Sequence, residues 1–247
     1  MTSDSAIAGP GTVYLVGAGP GDPGLLTLKG KSLLEQANVV IYDALVSGEI
    51  LALINPQAEC IDVGKRRGRH SQSQDETIEL LIKKAQQAAI VVRLKGGDPF
   101  MFGRGGEEMM ALQGAGIPVM VVPGVTAGVA APAYVGIPIT HRDYGSAVTF
   151  VTGHEAAGKY RPQVNWPAIA QGSETIVIYM GVHNLGQIIP QLLLGGLSPD
   201  TPIALIQWGT CPQQRQLRAT LATVLAAITA EKFEAPAIAV VGNVVNF

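Results

Sequence analysis

One pattern constrains the fold of this chain more than any other. Runs of β-branched and aliphatic residues break at glycine or an acid and are interspersed with stretches of helical spacing. In the first half the strand runs are TVYLVGAG (12–19), VVIYD (39–43), ECIDVG (59–64), IVVRLKGG (90–97) and IPVMVVPG (117–124). Between them, TLKGKSLLEQA (27–37), DETIELLIKKAQQA (75–88) and a segment from about Gly105 to Gln113 have the period of helices. Strands apolar on both faces belong inside a mostly parallel sheet that helices cover on both sides. Thr27 and Asp75 are placed to cap the first two helices.

The second half is richer in strands: AVTFVTGH (147–154), TIVIYMG (175–181), PIALIQWGT (202–210), RQLRATL (215–221) and AIAVVGNVV (237–245). Helices fit only around 184–194 and 222–232. The expected fold class is therefore α/β, with two α/β domains and a cleft between them. The expected boundaries are a loose tail over 1–11, an N-terminal domain over 12–124 and a C-terminal domain over 125–247. The Pro- and Gly-rich stretch 123–138 is the joint.

Composition narrows the function. Apolar residues make up 47% and charged residues 15% of 247 positions, the balance of a globular chain. A net charge of -2 argues against a nucleic-acid partner, which calls for a basic surface. Cys60 and Cys211 lack metal-ligand spacing, so buried or inert roles and a reducing, cytoplasmic setting are expected. The histidines have no ligand spacing either, and no metal is expected. The N-terminus, MTSDSAIAGPG, lacks the basic start of a signal peptide. Residues 117–139 carry no charge and are long enough to span a bilayer. Pro118, Pro123, Pro132 and Pro138 interrupt them, so a strand, a turn and a short helix are expected there, and no membrane partner.

Two glycine loops carry the chemistry. VGAGPGDPGLLT (16–27) invites a dinucleotide reading, with Gly17 and Gly19 in the turn and Asp43 on a ribose. That site needs free N–H groups at a helix start. Pro20 and Pro23 have none, and the first good cap, Thr27, comes eight residues after Gly19. In the second loop, RLKGGDPFMFGRGGEE (93–108), Gly96, Gly97 and Asp98 follow a strand's carboxyl end, where open α/β sheets bind ligands. Glycine there removes the Cβ that would block a ligand, leaving backbone groups to make the contacts. Asp98 disfavours a plain phosphate, and a neutral or cationic cofactor fits better.

Taken together, VGAGPGDPGLLTLKG (16–30), YDALVS (42–47), VGKRRGRH (63–70), VRLKGGDPFMFGRGGEE (92–108), VPGVTAG (122–128), GIPITHRDY (136–144), VTGH (151–154), YMG (179–181) and Gly209 resemble the uroporphyrinogen-III C-methyltransferase family of tetrapyrrole methylases. The resemblance runs from about residue 12 to 245. It implies methylation of uroporphyrinogen III at two ring carbons to give precorrin-2, on the way to sirohaem and cobalamin. It also implies S-adenosyl-L-methionine as cofactor, S-adenosyl-L-homocysteine as product, and a homodimer. Some relatives carry a fused dehydrogenase–chelatase domain, for which there is no room before residue 12. A methylase of a later corrin intermediate, a diphthine synthase, a nicotinamide oxidoreductase and a binding module without turnover are the alternatives.

By the same resemblance, Pro20, Gly96, Gly97, Asp98, Met101, Thr126, Ala127, Met180 and Gly209 bind the cofactor. Met101 departs from the family's usual Ile. Asp43 is the base and Lys65 the acid. A substrate with eight carboxylates needs cations, and arginine grips a carboxylate in two places. The candidates are Arg66, Arg67, Arg69, His70, Arg104, His141 and Arg142. Each has a plainer reading as well: Asp43 as a turn former, Met180 as core, the basic run as a solvated face, His70 and His141 as structural histidines.

Overall fold

Five of the apolar runs join in one sheet: β1 (Thr12–Gly17), β2 (Val39–Tyr42), β3 (Glu59–Asp62), β4 (Ile90–Lys95) and β5 (Val119–Val122). Their order is β3-β2-β4-β1-β5, and every neighbouring pair is parallel. The structure, a computed structural model, describes residues 10–64, 73–153 and 164–247. It divides into two units, Met1–Thr126 and Ala127–Phe247.

Alternate residues of a strand face opposite sides of its sheet. Val16, Val40, Val92 and Leu94 pack on one side with Leu34 of α1 (Leu28–Gln36) and Ile50 of α2 (Gly48–Leu51). Val13, Leu15, Ile41 and Val91 pack on the other with Leu81 of α3 (Gln74–Ala85) and Leu112 of α4 (Gly105–Gly114). Both faces are covered, which is why the strands read as unbroken apolar runs. The α3–α4 side changes character along the strands. β4 runs Val91, Arg93, Lys95, and β2 runs Val39, Ile41 and on to Asp43. That side is apolar at the amino ends and charged at the carboxyl ends.

The second unit holds β6 (Val148–Thr152), β7 (Thr175–Tyr179), β8 (Pro202–Gln207), β9 (Arg215–Thr220) and β10 (Ala237–Val241), in the order β6-β7-β10-β8-β9. β6 and β7 are parallel, and the other pairs are antiparallel. Its helices are α5 (Ala127–Tyr134), α6 (Trp166–Gly172), α7 (Leu185–Leu194) and α8 (Val224–Glu231). Trp166, Ile178, Leu185, Leu192, Leu205 and Phe233 share one core.

Two local expectations need correction. α3 is capped by Ser73 and not by Asp75. The Ser73 hydroxyl accepts from the Glu76 N–H at 3.1 Å while the Glu76 carboxylate accepts from the Ser73 N–H, a reciprocal box that outcompetes a lone Asp. α6 was not expected, because seven residues give too little periodicity to see. Cys60 is exposed on the short strand β3, which leaves the inert role of the two expected. Residues 117–139 form β5 and α5, and no helix among the described residues is long and apolar enough to cross a membrane.

Candidate functional site

The glycine loops of the first unit close on one another. Gly19 donates to the Gly97 carbonyl at 3.1 Å, and Gly97 donates back to the Gly19 carbonyl at 2.7 Å. A Cβ on Gly17 would lie 2.5 Å from the Gly124 Cα and 2.6 Å from the Gly97 oxygen. The loops after β1, β4 and β5 therefore meet backbone to backbone. Asp98 secures the junction: Oδ1 accepts from the N–H groups of Phe100 at 2.8 Å and Met101 at 3.1 Å, and Oδ2 accepts from Gly124 at 3.0 Å. These glycines therefore also serve the packing of the loops. At Gly17 and Gly124 other backbone occupies the space of the missing side chains, and the Gly97 N–H is already engaged. A Cβ on Gly96 would lie 3.0 Å from that of Leu45.

Beside this junction lies a charge cluster. Arg93 and Lys95 are buried on β4, and Glu108, in the first turn of α4, is completely buried. Glu108 Oε1 accepts from Arg93 Nε, Lys95 Nζ and Gln74 Nε2, each at 3.1 Å. Arg93 Nη2 pairs with Asp43 Oδ1, and Lys95 Nζ lies 3.9 Å from Asp43 Oδ2. Asp43, just past β2, is the cluster's opening to solvent, with 31% of its side chain exposed. Glu108 Oε2 is buried and has no hydrogen-bond partner among the described residues. Burial and then the like charge of Arg93 hold the Lys95 ammonium below its ordinary pKa. Burial opposes the Arg93 charge too, but Asp43 and Glu108 outweigh it and raise that pKa. Arg93, Lys95 and Glu108 were not picked out as site residues from the sequence. The signal was there: two charges at a spacing of two in a strand otherwise apolar on both faces.

The second unit concentrates backbone strain at strand ends. Met180, just past β7, has φ 54° and is 52% exposed, while Trp208 and Thr210, just past β8, have φ 49° and 69°. With Phe102 and Arg104 in the loop after β4, five of the six positive-φ non-glycine residues among those described follow strand carboxyl ends. Left-handed backbone is costly for such residues and collects at functional sites. Gly209 lies between two of them, and a Cβ there would meet Ala131 of α5. The Tyr179 hydroxyl accepts from the Gly128 N–H at 2.8 Å in the first turn of α5, beside Ala127. Thr126 closes the first unit and Ala127 opens the second.

Of the substrate candidates, Arg104 lies in the first unit and His141 and Arg142 in the second. Lys65, Arg66, Arg67, Arg69 and His70, like His154, lie outside the described residues. The Arg104 fork is engaged with Glu107, through Nε at 3.1 Å and Nη2 at 2.6 Å. His141 Nδ1 accepts from the Asp143 N–H at 3.1 Å, and its ring lies 5.0 Å from those of Tyr144 and Phe247. Arg142 is exposed, and an open hollow of about 420 Å³ is lined by Thr140, His141, Arg142, Gly145 and Ser146. No group of metal-ligating side chains occurs among the described residues.

The loop backbone after β4 and the Asp98 carboxylate fit a ligand that carries a cation. They suit an anion poorly. An α/β pair of units with glycine-closed, strained strand ends defines a class, and the family comparison agrees. Residues 12–225 match the model of the tetrapyrrole (corrin/porphyrin) methylases, and the chain belongs to that family. It is 70% identical to the uroporphyrinogen-III C-methyltransferase of Synechocystis sp. over 96% of this chain and 90% of that one. With the enzyme of that name from Priestia megaterium it shares 48% over 96% and 99%. It covers 49% of the siroheme synthase of Photorhabdus laumondii, at 52% identity over 95% of its own length. The uroporphyrin-III C-methyl transferase of Thermus thermophilus complexed with S-adenyl homocysteine superposes with a TM-score of 0.80, at 41% identity over 96% and 99% of the two chains.

Proposed function

We propose that this protein is a uroporphyrinogen-III C-methyltransferase that uses S-adenosyl-L-methionine to methylate two ring carbons, giving precorrin-2 for sirohaem and cobalamin. The observation that carries this reading is the 70% identity to the Synechocystis enzyme across almost the whole chain. When bound, the cofactor supplies an electrophilic methyl group. The residues proposed to hold it are Pro20, Gly96, Gly97, Asp98, Met101, Thr126, Ala127, Met180 and Gly209. Asp98 acts mainly by fixing the loop, since backbone N–H groups already engage both of its oxygens. At Met101 the carbonyl is the contact to expect, because the N–H is given to Asp98.

The ring carbon attacked is electron-rich, so the protein's main tasks are alignment and the exclusion of water. A proton must then leave the macrocycle. Asp43 is the proposed base, supported by its partial exposure at the mouth of a buried cationic pair. Lys65 is the proposed acid. Arg66, Arg67, Arg69, His70, Arg104, His141 and Arg142 are proposed to bind the substrate carboxylates, with Arg104 exchanging Glu107 for one of them. A homodimer in the cytoplasm completes the proposal, in keeping with two cysteines that form no disulfide.

Anaerobic incubation with S-adenosyl-L-methionine and uroporphyrinogen III, followed by mass analysis, tests the reading. A product carrying two added methyl groups is expected. A methylase of a later intermediate would leave the substrate unchanged, and a nicotinamide enzyme would be stabilised by NADH and not by S-adenosyl-L-homocysteine.

A further inference from the structure

We infer that Glu108 is a positioning residue for Asp43, acting through Arg93 and Lys95; this rests on the reading of Asp43 as the base. One carboxylate oxygen, completely buried, fixes two cations at once, each at 3.1 Å. The Arg93 fork is thereby divided: Nε goes to Glu108 and Nη2 to Asp43. Lys95 likewise lies between the two acids. With all four groups ionised, two positive charges meet two negative ones. Without Glu108, two buried cations would face Asp43 alone.

The arrangement does more than a structural ion pair requires. A pair meant only for stability is satisfied inside the core, whereas this one passes its second half to the one member that reaches solvent. Gln74 of α3 gives Glu108 Oε1 a third donor, so the oxygen is held from two elements. The groups that face Glu108 are Arg93 and Lys95 from β4, Asp43 from the end of β2, Gln74 from α3, and, at longer range, Arg104 beside α4. Asp75 and Glu107 also act on Arg104.

Glu108→Gln keeps the size of the side chain and removes its charge. Taking one negative charge from a coupled cluster lowers the proton affinity of every group facing it. The expected result is a pH–rate profile whose acidic limb, set by the base, is displaced to lower pH, with a maximal kcat about 10-fold or more lower, since a weaker base transfers protons less readily. Affinity for S-adenosyl-L-homocysteine should be unchanged. A profile that superposes on the wild type, with only the melting temperature lowered, would make Glu108 merely structural and overturn the inference.

Arg93→Lys serves if Glu108→Gln does not fold. It keeps the charge, but a single ammonium cannot span Glu108 and Asp43 as the fork does. kcat should fall about 10-fold or more, with the profile in place and S-adenosyl-L-homocysteine affinity retained. Wild-type kcat in that variant would equally overturn the inference. Asp43→Asn separates the two claims. If it turns over like the wild type, the base reading fails. If it is inactive while neither Glu108→Gln nor Arg93→Lys alters kcat or profile, only the role of Glu108 fails.

Discussion

At the residue scale, Asp43 and Lys95 show how position sets chemistry. Asp43→Asn removes the proposed base and one partner of Arg93. Turnover should fall about 10²–10⁴-fold, while the S-adenosyl-L-homocysteine Kd measured by calorimetry stays nearly constant. A large loss of cofactor affinity would make Asp43 a structural residue. Lys95 gives a pH-dependent stability with a definite sign. Its folded-state pKa is below the ordinary lysine value of 10.5, so between the two values the unfolded chain binds more protons and stability rises with pH. Lys95→Met removes that contribution. The unfolding free energy of the wild type relative to this variant should therefore increase as pH rises towards 10.5, and urea titrations at several pH values would show it. A difference independent of pH would contradict the direction of the shift.

Glycine at the element scale has two different uses, and substitutions tell them apart. A Cβ on Gly105 would lie 2.5 Å from the Pro99 carbonyl oxygen, whereas one on Gly106 meets nothing within 4 Å. Gly105→Ala should destabilise by about 1–3 kcal/mol through overpacking. Gly106→Ala should stabilise by about 0.4–1 kcal/mol through the unfolded chain's lost entropy. Thermal unfolding of the two variants checks the contrast. The same distinction explains what the sequence made legible. Every strand run identified in the sequence is a strand; for central strands such as β1, β4, β7 and β8, burial on both faces leaves a continuous apolar signature. The capping box at Ser73 and the Asn165 cap of α6, with Pro167 in its first turn, were readable signals in short spans, but Asp75 and the weak periodicity concealed them. The glycines were recognised as sites of close approach. What approaches Gly17, Gly97 and Gly124 was not legible, because β1, β4 and β5 become neighbours only through the sheet order.

At the scale of the whole molecule, a chain of net charge -2 is proposed to bind a polyanion. The local run Lys65, Arg66, Arg67, Arg69 must then overcome the global charge. A variant with Arg66, Arg67 and Arg69 all changed to Ala should raise the KM for uroporphyrinogen III about 10-fold or more, at roughly 1.4 kcal/mol per factor of ten, with kcat little changed. The wild-type KM should also climb with salt as the screening length contracts to about 8 Å at physiological strength. Insensitivity to both would assign the basic run to solvent. Family and cofactor were recognisable from motifs spread along the chain. The buried partners of Asp43 were not, because Glu108 and Arg93 come together only when α4 packs on β4.

This protein is proposed to carry methyl groups from S-adenosyl-L-methionine to a carboxylate-rich macrocycle. Anaerobic mass analysis of uroporphyrinogen III after incubation with the purified chain and the cofactor tests it most directly. Two added methyl groups with matching release of S-adenosyl-L-homocysteine are predicted. An unchanged macrocycle, from protein shown to bind S-adenosyl-L-homocysteine, would contradict it.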